Sequence, residues 1–234
     1  MRCIILAGGF AVRLKPLIGD RPKPLLEIRG KPIITYIVEK IPPEIKTFVS
    51  TNRLFEDQFV RWLQDLDIKP DIVIEEAWVE NEKLGALGSL DALIQKQNIT
   101  EDVLVIAGDN YFEFDLLNFI RAYNGKNVLV AIYDIKDRDK AKELGVVRLN
   151  ENRIIELREK PETPFSSLVS TGCYILPPRV FKTLADYCAT RVRDHLGEFI
   201  AHLVEQEDVY AYVFSEKWLD IGTAEAYLEA QRAD

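Results

Sequence analysis

Six basic residues, Arg13, Lys15, Arg21, Lys23, Arg29 and Lys31, crowd one short segment in which the acids are Asp20 and Glu27. They alternate with Gly and Pro and show no helical spacing, and they follow an apolar run, residues 2–7, that stops at Gly8-Gly9. A charge run is ordinarily a solvated face. Interleaved with Gly and Pro, this one reads as an anion-binding loop. Glycines bring the backbone close to a ligand and free its N–H groups, while Arg and Lys supply charge. Phosphate is the anion such a loop suits, and a nucleotide site is favoured over a plain turn. Two common phosphate patterns are excluded. Gly8-Gly9-Phe10-Ala11-Val12-Arg13 is not G-x-G-x-x-G, and G-x-x-x-x-G-K-[ST] does not occur.

The loop needs a scaffold, and the sequence alternates strand and helix patterns on either side of it. Residues 2–7 read as a buried strand and residues 10–24, with Pro16, Gly19, Pro22 and Pro24, as a long ordered loop. Pro32 opens a helix that ends before Pro42-Pro43. Strands are predicted at 47–51, 71–75, 103–107 and 128–133, and helices at 55–66, 87–96 and 116–123. Apolar strands alternating with amphipathic helices imply a mostly parallel sheet covered on both faces. Ligands of such sheets sit beyond the carboxyl ends of the strands, where the basic loop must lie.

After residue 140 the pattern changes. Residues 145–149 and 153–157 flank Asn150-Glu151-Asn152 as a hairpin; strands follow at 168–176 and 209–214, and helices at 179–187, 197–206 and 224–231, the last capped by Thr223. The expected fold is one α/β domain, Rossmann-like and three-layered (α/β/α), with a mixed, mostly parallel central sheet. It spans residues 1–234, with a nucleotide-binding half at 1–140 and a second half at 141–234.

Composition narrows the function. At 47% hydrophobic and 29% charged residues, the 234-residue chain can bury a sizeable core. A formal net charge of −8 argues against a general nucleic-acid binder. The longest apolar runs, such as 127–133, fall far short of the roughly 20 residues a bilayer span needs. No signal-peptide pattern opens the chain, so no membrane association and a cytoplasmic location are expected. Cys3, Cys173 and Cys188 lack metal or disulfide spacing and read as small buried hydrophobes. His195 and His202 join no nucleophilic constellation.

The segment 6–33 resembles the signature of the sugar-phosphate nucleotidylyltransferase family, L-A-G-G-x-G-T-R-L-x-P-L, then P-K-P-L, then G-K-P. Here it reads Leu6-Ala7-Gly8-Gly9, Arg13-Leu14, Pro16-Leu17, Pro22-Lys23-Pro24-Leu25 and Gly30-Lys31-Pro32, departing at Ala11 and Val12, where the family has Gly and Thr. Further elements follow in the family's order: Gly85-Ala86-Leu87-Gly88, Gly108-Asp109-Asn110, Gly145-Val146-Val147, Glu159-Lys160-Pro161, Thr171-Gly172-Cys173-Tyr174 and Trp218-Leu219-Asp220-Ile221-Gly222-Thr223.

The resemblance implies the nucleotide-diphospho-sugar transferase type of fold. It also implies an Mg²⁺-assisted enzyme that joins a nucleoside triphosphate to a sugar-1-phosphate, giving an NDP-sugar and pyrophosphate. Arg13, Lys23 and Asp109 would be catalytic, and Asp109 and Asp220 would hold the metal. Leu6, Gly8, Gly9, Arg13, Gly88 and Asp109 would meet the nucleotide, and Lys23, Gly145, Glu159, Lys160 and Thr171 the sugar phosphate. The β-helix tail of some relatives is not expected. The base, the sugar and any homo-oligomer stay open. Two other readings stay open too: a non-catalytic sugar-nucleotide-binding subunit, and an NDP-sugar-dependent glycosyltransferase, against which the missing D-x-D pair counts.

Overall fold

The structure, a computed structural model, describes residues 1–12, 14–191 and 194–232. The strands are β1 (Arg2–Leu6), β2 (Glu27–Ile28), β3 (Lys31–Pro32), β4 (Thr47–Asn52), β5 (Asp71–Glu75), β6 (Val103–Ala107), β7 (Asn110–Phe112), β8 (Val128–Asp134), β9 (Gly145–Asn150), β10 (Arg153–Glu159), β11 (Leu168–Leu176), β12 (Val209–Phe214) and β13 (Trp218–Asp220). The helices are α1 (Lys15–Ile18), α2 (Ile33–Lys40), α3 (Glu56–Gln64), α4 (Gly85–Lys96), α5 (Leu116–Ala122), α6 (Phe181–Thr190), α7 (Leu196–Val204) and α8 (Ala224–Arg232). Residues 10–24, expected as loop throughout, include the single turn of α1.

Nine strands form one sheet in the order β5-β4-β1-β6-β11-β8-β12-β10-β9. Its strands alternate sides with period two and are buried on both. Cys3, Ile5, Leu104 and Ile106 face α2, α3 and α5, while Ile4, Val103 and Val105 face α4, α6 and α7. Cys3, Cys173 and Cys188 are free and buried.

The expectation of a Rossmann-like, mostly parallel sheet is overturned. β5, β4, β1 and β6 run parallel, but among the described residues five of the nine pairings are antiparallel. β9 pairs with both β10 and β11, so β11-β8-β12-β10-β9 closes into a five-stranded barrel. The cause is local. β9 and β10 form a hairpin and are therefore antiparallel. β11 then bends at an irregularity between Ser170 and Tyr174, where Gly172 takes φ +73°. Before the bend β11 pairs with β9, and after it with β6. One strand thus serves both the barrel and the open sheet.

A two-stranded sheet, β7 with β13, and the hairpin β2–β3 lie outside the main sheet. Helix α8 ties to the hairpin: the Tyr227 hydroxyl and Gln231 Nε2 both donate to Glu27 O, at 3.2 and 2.6 Å. Thr223 Oγ1 accepts from Ala226 N–H at 3.2 Å, as the expected cap would.

Candidate active site

β1 and β6 run side by side, with Leu6 opposite Ala107, so their exit loops emerge together. Gly108 N–H donates to Leu6 O at 2.8 Å and Ala7 N–H to Ser50 O at 2.8 Å, which fixes both loops to the sheet end. A Cβ on Gly108 would lie 2.9 Å from Leu6 O, so the strands permit no larger residue there without a shift. The result is a cleft of about 470 Å³ lined by Leu6, Gly8, Gly9, Lys23, Asp109, Lys160 and Asp220, among others. Seven predicted residues, far apart in sequence, thus share one cavity.

Lys23 is carried on a short 3-10 turn, Lys23–Leu25, between Pro22 and Pro24. The prolines fix the backbone, and Lys23 Nζ reaches Asp109 Oδ2 at 3.3 Å. Asp220 approaches from β13, paired opposite Asn110, and Ile221 N–H donates to Asp109 O at 3.2 Å. Burial pushes the Asp220 carboxyl well above the usual carboxylate range; the Asp109 charge adds to this, and Lys23 and Lys160 oppose it. A divalent cation between Asp109 and Asp220 would relieve that repulsion. Among the described residues no three His, Cys, Asp or Glu side chains converge into a protein cage. Magnesium needs none, because one or two carboxylates with phosphate oxygens and water satisfy it. The donor set fits.

A Cβ on Gly8 or Gly9 would meet no protein atom within 4 Å, so the chain's own packing does not require glycine there. Both residues line the cleft, where a ligand's close approach to the backbone would use them. Ala11 takes φ +52°, in the left-handed region, at the position where the sequence departs from the resembled pattern by lacking Gly. The loop therefore keeps the glycine-type path at a cost in strain. Ala11→Gly is expected to change stability by less than about 1 kcal/mol, since relief of strain is offset by glycine's chain entropy. Thermal unfolding of the two proteins measures this; a loss above that size would show that the path depends on the Ala11 methyl.

Four predicted residues do not line the cleft. Gly88 is buried within α4, behind Gly85 and Ala86, which do line it. Thr171 is buried and donates its hydroxyl to Ala131 O at 2.9 Å, beside the bend in β11. Gly145 and Gly197 make the seat of the Glu159 carboxylate: an added Cβ would lie 2.9 and 2.0 Å from Glu159 Oε2. Burial raises the Glu159 pKa, with Glu198 adding to the effect and Lys160 and His195 opposing it. Lys160, the next residue, takes φ +45° and reaches the cleft. Arg13 lies outside the described residues.

Several cleft residues were missed by sequence reasoning, among them Glu75, Lys83 and Asp194. Glu75, the last residue of β5, accepts from Leu84 N–H and, at 2.6 Å, from the Ser89 hydroxyl. It thereby pins the start of α4 to the cleft. Lys83 reaches both Glu80 and, at 2.9 Å, Asp194, joining the first half of the chain to the second across the cleft wall. A carboxylate ending a parallel strand was the available signal for Glu75; nothing local marks the Lys83–Asp194 pair.

Comparison with known proteins agrees with this arrangement. A Methanocaldococcus jannaschii protein named bifunctional protein GlmU is 32% identical over 234 residues, covering 99% of this chain and 54% of the relative. A Sulfolobus acidocaldarius protein provisionally named a mannose-1-phosphate guanyltransferase is 30% identical over 226 residues, covering 96% of this chain and 60% of the relative. The chain thus spans little more than half the length of these relatives. In fold it matches a crystal structure from Bacillus anthracis, provisionally a glucose-1-phosphate thymidylyltransferase. The TM-score is 0.82 at 24% identity, covering 100% of this chain and 96% of that one. Family, cleft and sequence signature coincide: the nucleotidyl transferase profile matches residues 2–234, and the chain belongs to that family.

Proposed function

We propose that the chain is a sugar-1-phosphate nucleotidylyltransferase, converting a nucleoside triphosphate and a sugar-1-phosphate into an NDP-sugar and pyrophosphate. The observation that carries this is the meeting of Lys23 with Asp109 at 3.3 Å, beside Asp220 and the Gly8-Gly9 backbone, in one cleft. Phosphoryl-type transfers need positioning and charge neutralisation far more than covalent chemistry from the protein. An oxygen of the sugar phosphate attacks the α-phosphorus in line, and pyrophosphate leaves.

Leu6, Gly8 and Gly9 bind the nucleotide through backbone and apolar contact, and Gly88, on α4, belongs to the same nucleotide side. The amino end of α4, lining the cleft at Gly85 and Ala86, favours negative charge. Arg13 neutralises the leaving pyrophosphate. Lys23 and Lys160 offset the repulsion between the two anionic substrates. Asp109 and Asp220 hold Mg²⁺, which when bound withdraws charge from the triphosphate. Residues 1–140 supply the nucleotide side and 141–234 the sugar side of a single catalytic domain. Glu159 orients sugar hydroxyls from its seat between Gly145 and Gly197, and Thr171 acts on the same side by holding β11 at its bend.

A matrix of nucleoside triphosphates against sugar-1-phosphates, read by pyrophosphate release with and without Mg²⁺, tests the reading. Nucleotide binding without pyrophosphate release from any pair would instead make the chain a binding subunit.

The Glu159 seat gives a sharper test. Gly197→Ala places a methyl where Oε2 lies, and the displaced atom is the end of a flexible side chain, so the fold yields cheaply. The expected result is a KM for sugar phosphate raised roughly 10-fold or more, the scale of losing a charge-assisted hydrogen bond. The KM for nucleotide is expected to stay unchanged. An unaltered sugar-phosphate KM would remove Glu159 from the sugar site.

A further inference from the structure

The Asp109 and Asp220 carboxylates are brought together by β7 and β13, and this two-stranded sheet is only three residues long on each side. So short a pair is marginal by itself. A slip of one residue would turn every side chain of β13, Asp220 included, to the opposite face. The observed register pairs Trp218 with Phe112, Leu219 with Tyr111 and Asp220 with Asn110. Besides the backbone pairing, a side-chain bond crosses it: Trp218 Nε1 donates to Asn110 Oδ1 at 2.8 Å, and both residues are buried. Trp218 lies two residues from Asp220, on the same face of β13, and Asn110 directly follows Asp109. Gly172 leaves room for the amide, since a Cβ there would lie 3.3 Å from Asn110 Nδ2 and 3.0 Å from Ala107 Cβ.

We propose that Trp218 and Asn110 are positioning residues whose hydrogen bond sets the register of β7 against β13, and with it the separation of the two carboxylates and their affinity for the divalent cation. This rests on the reading of Asp109 and Asp220 as cation ligands. Neither Trp218 nor Asn110 needs to touch substrate. An indole N–H has one hydrogen to give, and a buried amide oxygen left without it costs free energy that a shift in register can relieve. The same slip moves Asp220 away from Asp109.

Trp218→Phe keeps an aromatic ring and removes the donor. Trp62 provides a matched control: its Nε1 donates to Thr35 Oγ1 at 2.8 Å, equally buried but on α3, away from the cleft. Three quantities are measured for each variant: Tm, binding of Mn²⁺ alone by electron paramagnetic resonance, and the Mg²⁺ concentration giving half-maximal pyrophosphate release. Trp218→Phe and Trp62→Phe are expected to lower Tm alike. Trp218→Phe is expected to weaken Mn²⁺ binding and raise the half-maximal Mg²⁺ about 10-fold, the scale seen when a group orienting a metal ligand is lost. Trp62→Phe is expected to change neither. Asn110→Ala, should Trp218→Phe fail to fold, is expected to show the same metal phenotype. Metal readouts for Trp218→Phe or Asn110→Ala that match those of Trp62→Phe overturn the positioning role. If Asp109→Asn and Asp220→Asn leave Mn²⁺ binding as in the wild type, the ligand reading falls first and the positioning role with it.

Discussion

Asp109→Asn is expected to fold as the wild type does and to lose at least about 10²-fold in turnover for pyrophosphate release, the scale of removing one major electrostatic element from a reacting centre. Asn is nearly isosteric with Asp, so the loop between β6 and β7 keeps its shape. The backbone bonds that fix this loop, Gly108 N–H to Leu6 O and Ile221 N–H to Asp109 O, do not involve the side chain. What disappears is the charge. Asp109 is the partner of Lys23 and a source of the raised Asp220 pKa, so the substitution removes the negative centre of the cleft. Circular dichroism and Tm check the fold, and single-turnover kinetics separate chemistry from product release. Near-wild-type turnover in a folded Asp109→Asn protein would take this carboxylate out of the mechanism.

Lys23→Met is expected to cost about 10²-fold in kcat/KM, with a change in Tm of no more than a few degrees. The structural stake of Lys23 is small: its ion pair with Asp109 is partly solvated at 20% and 30% side-chain exposure, and such pairs contribute about 1 kcal/mol or less. Met keeps an unbranched apolar stem of similar length and deletes only the ammonium. The catalytic stake is larger, because in the proposed reaction two anionic substrates approach each other in a cavity of about 470 Å³. The loss should appear equally in the reverse direction, with NDP-sugar and pyrophosphate, since the same charges then meet. A kcat/KM lost for one substrate with the other's unchanged would place Lys23 on that substrate alone. A loss of stability larger than the loss of activity would make it structural.

By itself, the sequence determined where most strands and helices lie and which loop lines the cleft. Residues 103–107 alternate between two buried faces, and that pattern is written locally as a run of Val, Leu and Ile. Gly8-Gly9 likewise frees the backbone, and Pro22-Lys23-Pro24 restricts it, wherever they occur. Strand direction was decided by the tertiary structure. A strand buried on both faces has the same composition in a parallel or an antiparallel pairing, so 168–176 gave no sign that it runs against β6 and β8. The bend at Gly172 that closes the barrel appears only when φ at one residue is known.

The site divides along the same line. Asp109 is legible because it follows its own strand within two residues. The seating of Glu159 against Gly197, the reach of Lys83 to Asp194, and the bond from Trp218 to Asn110 join residues 38, 111 and 108 positions apart. Composition and periodicity record whether a residue is buried, and they carry no term for which distant residue buries it. That choice was made by the packing of β7 on β13 and of α7 on the barrel, and it turned a basic loop and two isolated aspartates into one cleft.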